Sequence, residues 1–287
     1  MVAVISAALV YPGIDPIALR LGPFAVRWYG IAYLIGFAAA FMVMRRLVRR
    51  WKLNLIDDDL LNIVLAAVIG VLLGGRLGYV IFYGGTEYLR EPLRVLAVWD
   101  GGMSFHGGLA GILIAGGLVA WRTGIPWLTL CDLGSVGAPV GLFFGRIANF
   151  INDELWGRVT TAPWGIVFPS GGPLPRHPSQ LYEAALEGAL TLAVVLWIAT
   201  RGSGPSRGVV FGWLLTMYGM SRIVVEFFRE PDAQIGFLWG GATMGQLLSV
   251  PVFLAGVMVV AWSTKRGLPE LGKPSLPTKT TKPRKRR

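Results

Sequence analysis

Seven long apolar stretches restrict what this chain can fold into more than any other feature of its sequence. Each is near the roughly 20 residues that an α-helix needs to cross the hydrocarbon core of a bilayer. They run near 26–44, 60–83, 105–121, 128–149, 180–200, 208–228 and 243–263. Only 15% of the residues are charged, whereas soluble domains carry about 25%. The pattern predicts an all-α polytopic membrane protein, a bundle of about seven transmembrane helices with the fourth broken at Pro139.

Basic residues are distributed unevenly between the two sets of connecting segments. A dense group, Arg45, Arg46, Arg49, Arg50 and Lys52, follows the first span, and a longer basic run follows the last one. Lys and Arg concentrate in the cytoplasmic loops of membrane proteins. The distribution therefore predicts a cytoplasmic C-terminus and a periplasmic N-terminus.

The end of the chain has a composition of its own. Residues 269–287 are rich in Pro, Lys, Arg and Thr, and we expect residues 265–287 to form a disordered basic tail outside a bundle of residues 1–264. The net charge of +11 could suggest a nucleic-acid partner. Basic residues beside a span are better explained by topology and by anionic membrane lipid, so we expect no nucleic acid.

Glycines recur every four residues in two of the predicted spans. Gly70, Gly74 and Gly78 form one such ladder and Gly137, Gly141 and Gly145 another. Small residues at this spacing let transmembrane helices approach closely, which predicts two packing contacts. Arg76 lies inside the first ladder and must reach a carboxylate, a carbonyl or a lipid head group.

The stretch from Gly145 to Gly157, GRIANFINDELWG, places polar side chains at the end of a long apolar run. It holds Arg146, Asn149, Asn152, Asp153 and Glu154. One interpretation is an ordinary helix end at the membrane surface. Because charges at bilayer depth are costly and usually face a polar cavity or a partner, so many polar groups favour a functional site.

Three further polar groups lie near the same predicted side of the membrane. Tyr29 follows Trp28 at the start of the first span, and His106 enters the third span before two glycines. His177 precedes Pro178 at a predicted helix start. The spacing of Glu183 and Glu187 puts two carboxylates on one helix face, where they are costly unless arginines pair with them.

A fourth polar group follows one stripe of the sixth span. Tyr218, Arg222 and Glu226 are spaced four residues apart, with Arg229 near the same face. One alternative is a pair, Arg222 with Glu226, that only neutralises both charges. The other is that Arg222 and Arg146 hold an anion between them, since the guanidinium fork suits phosphate.

Cofactor and metal motifs are missing from the sequence. It contains no P-loop, HExxH or GxSxG motif, and Cys131 is the single cysteine. With only two histidines, a zinc site would need carboxylates as further ligands. We expect no cofactor and no metal.

Five motifs occur in the order typical of one family. They are RWYG at 27–30, DGGMSFHGG at 100–108, GRIANFINDELWG at 145–157, RHPSQLYE at 176–183 and RIVVEFFREPDAQ at 222–234. From about residue 12 to 263 the chain resembles the prolipoprotein diacylglyceryl transferases of bacterial inner membranes. Asp153 stands where some relatives carry glycine. The resemblance implies a seven-helix bundle with a small periplasmic head, here about residues 151–179.

The resemblance also implies a reaction and its substrates. Enzymes of this family transfer the diacylglyceryl group of phosphatidylglycerol to the lipobox cysteine thiol of a prolipoprotein signal peptide. A thioether forms, glycerol phosphate leaves, and lipoprotein maturation begins. The alternative from the residues alone is an anion or lipid transporter with an arginine-lined path.

Roles for single residues follow from this reaction. Arg146 and Arg222 are expected to stabilise the charge that develops on phosphate. His106 matches the histidine proposed as the family's base, although an arginine field could also lower the pKa of the thiol. We expect Glu226 to orient Arg222. The remaining candidates for substrate binding or support are Tyr29, Asn149, Glu154, Gly157, Tyr218 and His177.

Overall fold

The structure of the protein is a computed structural model that describes residues 9–22, 24–83, 87–97, 102–202, 204–231 and 236–266. In chain order the elements are β1 (Leu9–Val10), β2 (Ile17–Leu21), β3 (Phe24–Arg27), α1 (Trp28–Arg50), α2 (Asp57–Tyr83), α3 (Glu87–Arg90), a 3₁₀ turn (Pro92–Leu96), α4 (Phe105–Thr123), α5 (Trp127–Ile151), β4 (Ile166–Val167), a 3₁₀ turn (Pro169–Gly171), α6 (Ser179–Glu183), a π-helical segment (Ala184–Leu190), α7 (Thr191–Ala199), α8 (Val209–Val225), a 3₁₀ turn (Trp239–Gly241) and α9 (Met244–Lys265).

The long helices confirm the predicted all-α polytopic class. Each of the seven predicted spans coincides with a helix, because α6, the π-helical segment and α7 run on as one helix, Ser179–Ala199. Among the described residues, five helices are long and apolar enough to cross a membrane. The other two, Gly107–Thr123 and Val209–Val225, are apolar and shorter.

The predicted break at Pro139 is wrong, since α5 continues through this residue from Trp127 to Ile151. Proline removes one backbone hydrogen bond, but transmembrane helices tolerate the loss where neighbouring helices surround the site. Pro139 is buried in the bundle. An uninterrupted α5 places Arg146 one turn from the helix end.

The two ends of the bundle differ in character. One end holds an apolar core in which Leu47 and Trp51 pack with Leu133, Val195 and Val210. The indole nitrogen of Trp51 donates to the carbonyl of Ala199 over 2.9 Å. At the other end, called here the site end, α1, α6 and α9 begin and α5 and α8 finish. Polar side chains therefore gather at the site end.

Short strands lie at the site end of the bundle. β1 pairs in parallel with β4, and β2 pairs with β3 in an antiparallel hairpin before α1. The Tyr11 hydroxyl donates to the carbonyls of Phe150 and Ile151 over 3.0 and 2.7 Å. Tyr11 thereby ties the segment after β1 to the end of α5.

The two predicted glycine ladders differ in how closely they let helices approach. A Cβ on Gly78 would lie 2.7 Å from the Cα of Gly107, so α2 and α4 approach as closely as glycine allows. At Gly141 and Gly145 a Cβ would meet no described atom within 4 Å. Gly137, by contrast, faces α1, where a Cβ would lie 3.3 Å from Met44 Sδ and 3.5 Å from Ala40 Cβ. The second ladder therefore packs against α1 at Gly137, but it does not bring the two backbones as close together as the first ladder does.

Arg76 binds backbone carbonyls, one of the three kinds of partner predicted for it. Only 3% of the residue is exposed. Its guanidinium donates to the carbonyls of Arg94, Val95 and Gly102 over 2.7, 3.0 and 3.2 Å. Arg76 thus anchors the connection between α2 and α4.

Candidate functional site

Two arginines on different helices share the same two glutamates at the site end. Arg146 of α5 lies 2.5 Å from Glu183 and 3.7 Å from Glu187, measured from Nε and Nη2 to the Oε2 atoms. Arg222 of α8 reaches the same pair from Nη1, at 3.5 and 3.3 Å. The carboxylates on the helix that starts at Ser179 therefore bridge the two guanidiniums, as the sequence required of them.

A third arginine and a third glutamate extend this cluster past the end of α8. Arg222 Nη2 lies 2.6 Å from Glu226 Oε1. Arg229 lies 3.2 Å from Glu183 and 3.8 Å from Glu226. Three guanidiniums thus face three carboxylates among the described residues, so the formal charge of this cluster is balanced. A balanced cluster can be held inside a membrane protein at tolerable cost.

The arginine side chains of the cluster are more exposed than the carboxylates that pair with them. The side chains of Glu183 and Glu187 are fully buried, whereas those of Arg146 and Arg222 remain 18% and 14% exposed. An approaching anion would therefore meet guanidinium groups and not carboxylates. Such preorganised, partly desolvated cations are suited to stabilise negative charge that develops during a reaction.

Arg146 is held by ion pairing more than by directed hydrogen bonds. Its Nε lies close to Glu183 Oε2, yet the N–H is not aimed at that oxygen. Its Nη1 donates to Asn149 Oδ1 over 3.4 Å, and the Asn149 amide donates to Glu154 Oε1 over 2.7 Å. Asn149 and Glu154 therefore form a chain that supports Arg146 from the end of α5.

A π-helical segment presents the two glutamates. It spans Ala184–Leu190, directly after Glu183. The hydroxyls of Thr191 and Ser221 both donate to the Leu186 carbonyl, over 2.8 and 3.3 Å. The wider turns of a π-helix are rare and are frequently found at functional sites. Here they lie beside both arginines.

Gly157 and Arg158, which follow α5, form hydrogen bonds both to the residues just after α8 and to the segment just before α6. The Gly157 amide donates to the His177 carbonyl over 2.8 Å, and Arg158 N donates to the Phe228 carbonyl over 2.9 Å. The Arg158 guanidinium donates to the carbonyls of Glu226 and Arg229 over 3.0 and 2.8 Å. A side chain on Gly157 would collide with this backbone, so glycine permits the close packing.

His177 lies at the edge of this packed segment and not within the charge cluster. Its Nδ1 is 3.1 Å from the Tyr182 hydroxyl, and its ring meets Phe228 edge to face at 5.1 Å. Burial lowers the pKa of His177, and the nearby Arg158 guanidinium lowers it further. The imidazole is therefore favoured in its neutral form near pH 7.

Aromatic side chains border the cluster from α1 and α8. The Tyr33 hydroxyl donates to the Tyr29 hydroxyl over 3.2 Å, and the charges of Arg146 and Glu154 act on Tyr33. Tyr218 lies one turn before Arg222 and within electrostatic reach of Arg146 and Glu187. Tyr29 is thus linked to the cluster through Tyr33.

The predicted site residues fall into three groups. The charge cluster and its supports bring together Arg146, Asn149, Glu154, Tyr218, Arg222 and Glu226. Gly157 and His177 lie beside the cluster, and Tyr29 connects to it through one neighbour. His106 begins α4 in its first turn, but its side chain lies outside the described part of the structure.

Several residues of the site were not assigned a function from the sequence. Glu183 and Glu187 were marked only as needing arginines, and the four-residue spacing was their signal. Arg158 and Thr243 were not singled out. The spacing of Thr243 and Gln246 is that of a capping box, which could have located the start of α9. Nothing in the sequence indicates that Arg158 binds the carbonyls of Glu226 and Arg229, just after α8.

Comparisons with known proteins agree on one family. The model of the family described as prolipoprotein diacylglyceryl transferase matches residues 16–262. A phosphatidylglycerol–prolipoprotein diacylglyceryl transferase of Geobacter sulfurreducens is 52% identical over 89% of this chain and 98% of its own. Proteins of the same name from Methylocella silvestris and Pseudomonas paraeruginosa are 52% and 49% identical, each over 90% of this chain and 97% of their own. These relatives do not support the transporter alternative.

Proposed function

This chain belongs to the prolipoprotein diacylglyceryl transferase family, and we propose that it transfers the diacylglyceryl group of phosphatidylglycerol to prolipoproteins. It is a transferase and a multi-pass bacterial membrane protein. The observation that carries the assignment to this site is the pair Arg146 and Arg222, held by two buried glutamates with guanidinium groups in front.

The proposed acceptor is the lipobox cysteine of the prolipoprotein signal peptide. Its sulfur forms a bond to the terminal glyceryl carbon of the diacylglyceryl group, and the bond from that carbon to the phosphate oxygen breaks. Glycerol phosphate leaves with the electron pair of the broken bond, and the thiol proton goes to a base or to solvent. The products are a thioether and a phosphate monoester.

The arginines are proposed to serve the leaving group. Negative charge grows on the phosphate as the carbon–oxygen bond breaks, so cations fixed beside it lower the barrier. Arg146 and Arg222 can bind phosphate oxygens through two N–H groups each. Because Glu183 and Glu187 already hold both guanidiniums, little reorganisation is needed when the lipid binds.

His106 is proposed to take the thiol proton. A free cysteine has a pKa of about 8.5, so most of it is protonated at neutral pH and a base accelerates attack. The field of the arginines could instead lower the pKa of the thiol. His177 is proposed to shape the mouth of the site, since its neutral ring packs between Tyr182 and Phe228.

The remaining residues are proposed to bind or support. Glu226 is proposed to orient Arg222, which the 2.6 Å ion pair supports. Asn149 and Glu154 are proposed to hold Arg146, and Gly157 to allow the backbone packing beside it. Tyr29 and Tyr218 are proposed to contact the lipid or the peptide.

The proposed location is the bacterial inner membrane, with the site end facing the periplasm. The basic residues after α1 and after α9 support a cytoplasmic opposite end. Residues 1–264 are proposed to form the transferase bundle, with a head of about residues 151–179. The tail of residues 265–287, which lies almost wholly outside the described residues, is proposed to meet anionic lipid and not nucleic acid.

One assay tests this function. Purified protein is incubated with phosphatidylglycerol and a peptide that carries a lipobox cysteine, and release of glycerol phosphate is followed together with the peptide mass. Transfer predicts equal amounts of glycerol phosphate and diacylglyceryl peptide. A matched peptide with serine in place of the cysteine should give neither product. Inactivity of the folded protein with the cysteine peptide would contradict the proposal.

A further inference from the structure

The first turn of α9 encloses the carboxylate of Glu226. The Thr243 hydroxyl donates to Glu226 Oε2 over 2.6 Å. Thr243 and Glu226 are each only 3% exposed. A hydrogen bond to a buried charged group is among the stronger ones in proteins. This contact therefore restricts where the carboxylate can lie.

The direction of the Thr243 hydroxyl is set by a second contact. Thr243 is the N-cap of α9, and its Oγ1 accepts from the Gln246 backbone N–H over 3.2 Å. Gln246 Oε1 accepts in return from the Thr243 backbone N–H over 3.1 Å. Because this capping box fixes the threonine side chain, its hydroxyl proton is left pointing at Glu226.

Gly245 leaves the space that the carboxylate fills. A Cβ at this position would lie 2.9 Å from Glu226 Oε2 and closer still to Oε1 and Cδ. The carboxylate thus rests against the N-terminal end of α9, where the helix dipole favours negative charge. We call Thr243 and Gly245 the carboxylate socket.

Holding one carboxylate oxygen directs the other. With Oε2 bound to Thr243, Oε1 lies 2.6 Å from Arg222 Nη2 and 3.8 Å from Arg229 Nε. We propose that the carboxylate socket positions Glu226 and, through it, Arg222, so that Thr243 and Gly245 are positioning residues for transfer. The inference rests on the proposed function of Arg222.

Substitutions at Thr243 test the hydroxyl. Thr243→Val keeps the shape of the side chain but loses the donor, and we expect kcat to fall about 10-fold or more. Thr243→Ser keeps the hydroxyl and should retain most of the turnover. Thr264→Val is the matched control at the other end of α9, where the hydroxyl bonds, within the described part of the chain, to carbonyls of its own helix.

Gly245→Ala tests the space independently of the N-cap. The atoms that the new methyl group meets belong to the flexible end of Glu226, so the protein should fold while the carboxylate moves. We expect kcat to fall with little change in the unfolding temperature. A purely structural role would lower the unfolding temperature and leave the turnover of folded enzyme unchanged.

The outcomes separate this inference from the proposed function. Wild-type turnover by Thr243→Val or Gly245→Ala, or equal losses in Thr243→Val and Thr243→Ser, would overturn the socket. Inactive wild-type protein would count against the function instead. In that case the unfolding temperatures of Thr243→Val, Glu226→Ala and the double variant decide: non-additive shifts support the socket, and additive shifts refute it.

Discussion

At the scale of single residues, the site depends on which charges are hidden and which are reachable. Glu183 and Glu187 are fully buried, and the arginines that they hold are partly exposed. Pairing with arginines offsets the free-energy cost of burying the glutamate charges. The arginines keep N–H groups available to bind a phosphate. Removing either arginine should therefore weaken ligand binding and also leave a buried glutamate with one partner fewer.

Arg146→Ala should lower turnover by at least about 10²-fold, the scale seen when one preorganised donor is lost from an active site. Lysine should restore only part of it, since an ammonium group lacks the two-pronged geometry of guanidinium. The measurement is glycerol phosphate release per folded enzyme, with insertion and unfolding temperature checked in parallel. Near-normal turnover in folded Arg146→Ala would rule out a catalytic role for this arginine.

His106→Gln tests the proposed base. If His106 takes the thiol proton, turnover should fall about 10²–10⁴-fold, and raising the pH should recover part of it because more thiol ionises unaided. The measurement is the pH–rate profile of the variant beside that of the wild type. A small loss with an unchanged profile would instead assign His106 to substrate binding.

At the scale of elements, the π-helical segment joins two parts of one span that have different tasks. Glu183 lies directly before the segment and Glu187 lies within it, while Val195 and Ile198 beyond its end pack in the apolar core. Relative to a regular helix, one extra residue turns the two parts by about 100° with respect to each other. The segment thereby lets the glutamates face the arginines while Val195 and Ile198 face the apolar core.

Gly188→Ala tests how closely this segment must approach α5. A Cβ there would lie 2.7 Å from Phe143 Cβ and 3.0 Å from its backbone nitrogen, so the segment would have to move away from α5. Since a displacement of about 1 Å can cost up to 10²-fold in rate, we expect a clear loss of turnover. Glu183 and Glu187 would then hold Arg146 less firmly.

The control for Gly188→Ala is Gly134→Ala in α5, where a Cβ meets no described atom within 4 Å. Both variants are compared by turnover and by unfolding temperature. Equal turnover in the two variants would show that the close contact of the segment with α5 is not needed for the reaction.

At the scale of the whole molecule, the two ends of the bundle have separate roles. The apolar core at one end joins α1, α2, α5, α7 and α8, while the charge cluster at the other joins α5, α6 and α8. Helices α2 and α9 bury little of their surface, as expected for helices that face lipid. The catalytic proposal involves residues of the site end only, so the basic tail beyond α9 should be dispensable for chemistry.

Truncation after Gly267 tests that separation. We expect the shortened enzyme to keep its turnover in detergent, because the family match ends at residue 262. Its binding to vesicles that contain anionic lipid should weaken, by about 1 kcal/mol for each basic residue lost near the surface. The measurements are glycerol phosphate release and vesicle co-sedimentation. A collapse of turnover would assign the tail a part in the reaction.

The sequence by itself determined the membrane spans, the family and the need of Glu183 and Glu187 for arginine partners. Apolar length and the four-residue spacing of Glu183 and Glu187 are local properties, so they could be read without a fold. Only the tertiary structure decided that these glutamates bridge Arg146 and Arg222, and that Thr243 holds Glu226. Such contacts join residues that are far apart in the chain, 35 positions for Arg222 and Glu187. They depend on how each helix is rotated against its neighbours, which periodicity within one helix does not specify.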